Sequence, residues 1–304
     1  MTHAGGRDAR AASGAGILDA LVVLGAGEPV DGGHVRLPGS GRRASYGDLR
    51  RAAVAYGRGW RRVPGAPPLT LVVMAAAHGS SIDRAAGARW AALVDDVARS
   101  LRGVDVRGGL DVEVEWEPAA AVRSWLSGYL AGTSRPFVDV GACTCPPFAR
   151  LPSTWSLADL ASIAAAGGRG VVVPQIYATA GGNATEWAAL ARWAMRRHGP
   201  TLHFAGVLTE QAACAGPPAR ACAGIDLGPA AAWRQLSDRS GQQLRWASDI
   251  GYLDAPGPVH RALLRPALLA LGTLALAGAV ATLGALAWRT RRGRRPRRRR
   301  RRRR

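Results

Sequence analysis

The chain contains no lysine: all 41 basic residues among its 304 are arginine. Schiff-base catalysis, a Ser-Lys nucleophile pair and a Walker A phosphate loop each need a lysine amine, so these classes are excluded. Also missing are HExxH, GxSxG, and a GxGxxG between a strand and a helix. That removes the signatures of zinc proteases, α/β-hydrolases and dinucleotide-binding domains. The six histidines are scattered and read as structural, so the sequence calls for no metal set and no cofactor. Phenylalanine and methionine are scarce, at three each, and cysteine stops at four.

The cysteines occur as Cys143-Thr144-Cys145 and as Cys214 with Cys222. In an exported domain the expected pair is Cys214–Cys222, which would close a loop containing Pro217 and Pro218. A zinc site using all four thiolates is the alternative, although the usual CxxC knuckles are absent.

What the chain has in excess lies at its C-terminal end. Pro266–Trp288 is 23 residues without a charge, followed by thirteen arginines between Arg289 and Arg304. A helix of that length spans a hydrocarbon core about 30 Å thick, so residues 266–288 read as a transmembrane helix. Basic residues beside a span stay in the cytoplasm, which makes 289–304 a cytoplasmic tail placed to attract anionic lipid headgroups and leaves the N-terminal domain outside the cell. A nucleic-acid-binding arm would use the charge but ignore the apolar run, and no nucleic-acid partner is expected.

Residues 1–260 retain 26 basic and 21 acidic residues, only mildly basic, and ask for no polyanionic partner. Export normally needs an N-terminal signal. Arg7 and Arg10 could form an n-region, but the apolar stretch 16–27 is short and broken by Asp19. The start then lies upstream of Met1, or else the chain is tail-anchored with its domain in the cytoplasm.

Between a Gly/Ala-rich leader (residues 1–19) and a short linker (251–265), β-branched or aliphatic runs alternate with amphipathic stretches, the pattern of repeated βα units. Strands are expected at Ala20–Leu24, Leu69–Ala75, Leu110–Glu115, Phe137–Val140, Gly170–Ile176, Leu202–Leu208 and Leu244–Asp249. Helices are expected near Tyr46–Trp60, Asp83–Leu101, Ala119–Leu130, Leu157–Ala166, Thr185–Arg197 and Ala230–Arg239. Seven strands over residues 20–250 predict an α/β fold: a (β/α)8-like TIM barrel, degenerate at its eighth unit. An open doubly wound sheet is the alternative.

Functional groups in such barrels collect at the C-terminal ends of strands. Those positions hold Glu28, Glu113, Glu115, Asp139, Glu210 and Asp249, with Gln175 and Tyr177 ending the fifth strand. In Asp111-Val112-Glu113-Val114-Glu115 side chains alternate, so the three acids share one face and the two valines the other. With the valines packed on helices, the acids climb the barrel interior. Mutual repulsion and burial there raise the pKa of at least one, as a general acid requires. Trp116 and Trp246, near strand ends, suit stacking on a ligand, whereas Trp90, Trp125, Trp187, Trp193 and Trp233 fall in helical stretches and read as core.

The run 108–117 resembles the signature of chitinase-type (family 18) glycoside hydrolases. That resemblance implies Glu115 as the catalytic acid, Glu113 as the residue assisting the substrate acetamido group and Asp111 as its support. Gly108, Glu113 and Val114 depart from the pattern. More broadly, Asp111-x-Glu113-x-x-Trp116, Trp125-x-x-Gly128-Tyr129, Pro174-Gln175-Ile176-Tyr177, Gln211-x-x-Cys214 and Trp246-x-Ser248-Asp249-Ile250 resemble a group of actinobacterial exported proteins with a glycoside-hydrolase-like barrel. The likeness implies a membrane-anchored extracytoplasmic protein that hydrolyses or binds a cell-envelope or environmental glycan. Asp111, Glu113, Glu115, Glu210 and Asp249 would be catalytic. Glu28, Trp116, Asp139, Gln175, Tyr177 and Trp246 would bind substrate. The alternative is a non-catalytic binding or scaffolding protein of the envelope.

Overall fold

The computed structural model describes residues 2–14, 18–25, 27–37, 42–76, 82–112, 117–141, 154–176, 184–197, 199, 201–205, 208–209, 238, 240 and 248–252. Helix α1 (Thr2–Gly14) leads into strand β1 (Ala20–Gly25). A small antiparallel sheet follows, made of β2 (Glu28–Asp31), β3 (His34–Arg36) and β4 (Arg43–Ser45). The chain then alternates through α2 (Tyr46–Arg61), β5 (Leu69–Ala76), α3 (Arg84–Ser100), β6 (Asp105–Val112), α4 (Ala119–Gly132) and β7 (Phe137–Gly141). It continues through α5 (Leu157–Ala165), β8 (Gly170–Ile176), α6 (Ala184–Arg196), β9 (Leu208–Thr209) and β10 (Ser248–Tyr252).

Seven of these strands form one parallel sheet in the order β10-β1-β5-β6-β7-β8-β9. The order is sequential from β1 to β9, and the last strand returns to the free side of β1. A doubly wound sheet would instead reverse direction partway along the chain. Residues of β9 and β10 also approach each other across the remaining gap. The architecture is therefore α/β with a curled parallel sheet of the half-barrel kind.

Two apolar layers follow from strand alternation. Leu21, Val23, Val72, Met74, Val138, Val140 and Val173 pack together on the inner face of the sheet. Val22, Leu24, Leu71, Val73, Val106, Leu110, Val112, Phe137 and Val172 face the helices. Trp90, Trp125 and Trp187 are fully buried in that outer layer, and Trp193 packs partly buried against it. Trp125 stacks on Tyr129 with ring centroids 5.6 Å apart.

Helices α3 and α4 cross closely because both carry glycine at the contact. A Cβ on Gly87 would stand 1.9 Å from the Trp125 carbonyl oxygen, and one on Gly128 1.9 Å from the Arg84 carbonyl oxygen. Ser45 and Ser156 close capping boxes on α2 and α5 with Asp48 and Asp159, which satisfies amide donors left open at each helix start.

Two expectations are corrected, the leader and the start of β6. Residues 2–14 are not a loose leader but a helix whose Ala9 and Ala12 are buried, with Asp8 accepting a 2.8 Å hydrogen bond from the Tyr56 hydroxyl. Ala20–Gly25, inside the stretch considered as a signal core, is wholly buried in the sheet. Strand β6 also begins at Asp105 rather than Leu110.

Candidate functional site

Strand register decides which side chains reach the inner face. Met74 is paired with Gly109, and Ala76 with Asp111. Asp111 is paired in turn with Val140. Since Met74 and Val140 belong to the inner cluster, Asp111 faces inward at the C-terminal end of β6, while Val112 packs with the helices. Asp111 and Val112 thus alternate between the two faces, the rest of the 111–115 run lying outside the described residues. Asp111 is partly exposed, with its Oδ1 shielded from solvent.

The opposite end of the inner face is closed differently. The Thr70 hydroxyl donates to Asp105 Oδ2 at 3.2 Å, and Arg107 Nε donates to the same oxygen at 2.8 Å. Between the two ends lies the apolar layer. Among the described residues, Asp111 is the one charged side chain at the C-terminal end of this face.

Gly108 and Gly109 are what allow β6 to sit here. The Gly108 N–H donates to the Tyr129 hydroxyl at 2.9 Å, and a Cβ on Gly108 would fall 2.4 Å from the Tyr129 ring. Burial raises the Tyr129 phenol well above the ordinary tyrosine pKa, the Gly108 hydrogen bond opposes that, and the charge of Asp95 adds to it.

The other expected site residues distribute as follows. Asp139 is fully buried, but its partners in register are Leu110 and Val172, both facing the helices. It therefore belongs to the sheet–helix layer and not to the interior, where a substrate contact was expected. Glu28 lies in β2 and pairs with Arg36 at 3.3 Å, which makes it part of the small sheet's own ion pairs. Asp249 stands opposite Val22 in β10, and Gln175 opposite Leu208 in β8. Glu113, Glu115, Trp116, Tyr177, Glu210 and Trp246 lie outside the described residues, as do Cys214 and Cys222.

One buried acid escaped the sequence reading. Glu117 is 3 % exposed, just ahead of α4, and its carbonyl accepts from the Trp155 indole at 2.7 Å. Its position between a strand end and Pro118 is the only signal the sequence offers. Among the described residues no group of three or more His, Cys, Asp or Glu is placed to hold a metal ion.

No family model matches the chain, and no curated protein matches it. Among solved structures it is similar to 2,3-dimethylmalate lyase, a PEP mutase/isocitrate lyase superfamily member. The TM-score is 0.41 at 14% identity, covering 90% of this chain and 86% of that one. That protein is a lyase and not a glycoside hydrolase, and at this level of likeness no residue role transfers. The glycoside-hydrolase function and the envelope-glycan role attached to it are withdrawn as expectations, since neither a family model, nor a curated protein, nor this solved structure supports them. Nor is any described helix long and apolar enough to cross a membrane, Pro266–Trp288 lying outside the described residues.

Proposed function

We propose that the chain carries a small-molecule site at the C-terminal edge of its parallel sheet, with Asp111 receiving a hydroxyl or amino group of the ligand. The observation that carries this reading is the position of Asp111 on the inward face, above the apolar layer of Val72, Met74, Val138 and Val140. A carboxylate there contributes less to stability than an apolar side chain of similar size, because charge near a low-dielectric wall is costly to hold. Ligand sites of parallel α/β folds gather at this end of the strands. Asp111 is an acceptor placed on a platform that the ligand's apolar part can cover.

In chemical terms Asp111 is the group positioned to take a proton from a bound hydroxyl or amine, or to balance a bound cation. The sequential strand order supports a (β/α)8-like barrel as the finer reading of the curled sheet. In that arrangement Glu113 and Glu115 would follow Asp111 on the rim.

The test is a thermal-shift screen of polar fragments, each bearing a hydroxyl or amine on an apolar ring, against the full chain and its Asp111→Asn and Asp111→Ala variants. Hits that stabilise the native chain and lose at least tenfold in affinity in both variants support the site. Hits that bind all three alike refute it.

Residues 266–304 carry a separate proposal: membrane attachment through 266–288, with the arginines of 289–304 on the cytoplasmic side against anionic headgroups and the N-terminal domain on the other. Protease accessibility with a tag at each terminus tests it. Loss of the N-terminal tag with protection of the C-terminal tag supports the proposal, and the reverse pattern contradicts the orientation.

A further inference from the structure

The groove between α2 and α3, on the outer face of the helix layer, has no part in the Asp111 site. It holds a cleft of about 260 Å³ lined by Gly32, Tyr46, Gly47, Arg50, Arg89 and Asp96, among others. Two of its polar atoms, the Tyr46 hydroxyl and Arg89 Nε, are shielded from solvent; Arg89 lies close enough to donate to the Tyr46 phenol oxygen, and the Tyr46 O–H itself finds no acceptor among the described residues. An unsatisfied buried donor costs free energy that folding alone does not recover, so the Tyr46 O–H at the wall of a cleft beside a guanidinium points to a ligand.

The donor inventory defines that ligand. An arginine Nε–H donates and never accepts. The Tyr46 phenol stays protonated and able to donate, because burial raises its pKa further than the charge and hydrogen bond of the neighbouring Arg89 guanidinium lower it. Its ring is fixed edge-on against Trp90, with centroids 5.5 Å apart. Arg50 adds a second guanidinium. The acids nearby are already engaged: Asp96 with Arg99, Asp48 with Arg51, and Asp31 with His34 and Arg43. Gly47 belongs to the first turn of α2, where the positive end of a 16-residue helix adds to the same field.

The surroundings extend this chemistry. Arg50 also borders an adjoining cleft of about 510 Å³, lined by Arg51, Arg58, Arg62 and Ser100 and by no carboxylate. Arg58, in the last turn of α2, and Arg62, its C-cap, stand four residues apart, a spacing at which like charges repel. Among the described residues neither has an ion-pair partner. A bound anion would relieve that repulsion.

We infer that the α2–α3 groove binds a phosphorylated small molecule, one phosphoryl group accepting from Tyr46, Arg89 and Arg50 and a second anionic group lying along Arg58 and Arg62. Guanidinium forks suit tetrahedral oxyanions, and two linked anionic groups match two adjoining clefts better than a single carboxylate does.

The experiment titrates the full chain with pyrophosphate and, separately, with inorganic phosphate, following affinity by calorimetry at fixed ionic strength. The same titrations are made on Tyr46→Phe, Arg89→Gln, Arg58→Gln and Arg123→Gln. The C-terminal arginines contribute equally to every variant, so differences between variants isolate the groove. Pyrophosphate should bind more tightly than phosphate. Arg89→Gln should weaken both by about tenfold or more, the worth of one charge-assisted hydrogen bond. Arg58→Gln should weaken pyrophosphate alone, and Arg123→Gln, an arginine of α4 that lines neither cleft, should weaken neither. Tyr46→Phe, which keeps the ring contact with Trp90, guards against a folding defect and should show a smaller loss in the same direction. Equal binding by native chain, Tyr46→Phe and Arg89→Gln would overturn the inference. So would a failure of both small anions alongside tight binding of a polyanionic polymer.

Discussion

Replacing Tyr129 by Phe tests how the glycine pair in β6, and with it the placement of Asp111, is supported. The Tyr129 hydroxyl accepts from the Gly108 N–H at 2.9 Å and donates to the Pro136 carbonyl at 3.3 Å, with the ring fully buried. Removing the oxygen leaves the Gly108 amide without its partner in a site shut off from water, at a cost of about 1–3 kcal/mol at pH 7. The phenol carries a second, pH-dependent consequence. Its folded-state pKa lies above its unfolded one, mainly through burial, so above pH ~10 the unfolded chain holds fewer protons than the native one. Stability contributed by the neutral phenol is thus complete below pH ~10 and declines above it, by up to ~1.4 kcal/mol per pH unit. The variant lacks this titration. Urea unfolding of both proteins at pH 7 and pH 11 should show a gap of about 1–3 kcal/mol at the lower pH that shrinks by about 1 kcal/mol at the higher. A gap that stays constant, or grows, between the two would refute the reasoning.

Other predictions concern the frame around the site. Gly87→Ala places a Cβ 1.9 Å from the Trp125 carbonyl oxygen. It should lower stability by about 1–3 kcal/mol despite alanine's better helix propensity, whereas a stabilised variant in chemical denaturation would contradict the close α3–α4 crossing. Ser45→Ala removes the N-cap of α2 and should cost about 1 kcal/mol, with Ser45→Asp recovering most of it in the same assay. Deleting residues 2–14 should lower Tm and expose Tyr56 and Trp60, detectable as greater access of a fluorescence quencher. An unchanged Tm would mean that α1 contributes no packing.

Much of the βα alternation is legible in the sequence because long buried strands and amphipathic helices leave opposite periodicities. Val22 and Leu24, Leu71 and Val73, and the tryptophan-bearing helices α3, α4 and α6 stand where their patterns predict. Helix α1 is not legible, since a short Gly/Ala-rich segment gains its stability from docking on α2 rather than from propensity. The three-residue strands β3 and β4 carry too little pattern to register. The early start of β6 is hidden by Gly108 and Gly109, poor strand formers that the Tyr129 ring and the Val72 side chain require.

Within the site, the alternation of Asp111 and Val112 is written in the chain, but which face turns inward is set by neighbouring strands. Phe137-Val138-Asp139-Val140 illustrates the difficulty. Its two faces are equally apolar apart from Asp139, and only the register with Leu110 and Val172 places that acid on the helix side. Tyr46 and Arg89 come from separate helices, and no local pattern announces that they share a cleft.

The measurement closest to the central claim is backbone amide NMR of the full chain during titration with the best fragment from the hydroxyl and amine screen. The account predicts that shifts gather at Gly25, Ala76, Asp111 and Gly141, the C-terminal ends of adjacent parallel strands, and vanish in Asp111→Asn. Shifts confined to the Asp105–Arg107 end of the sheet or to the α2–α3 groove, or unchanged by Asp111→Asn, would contradict it.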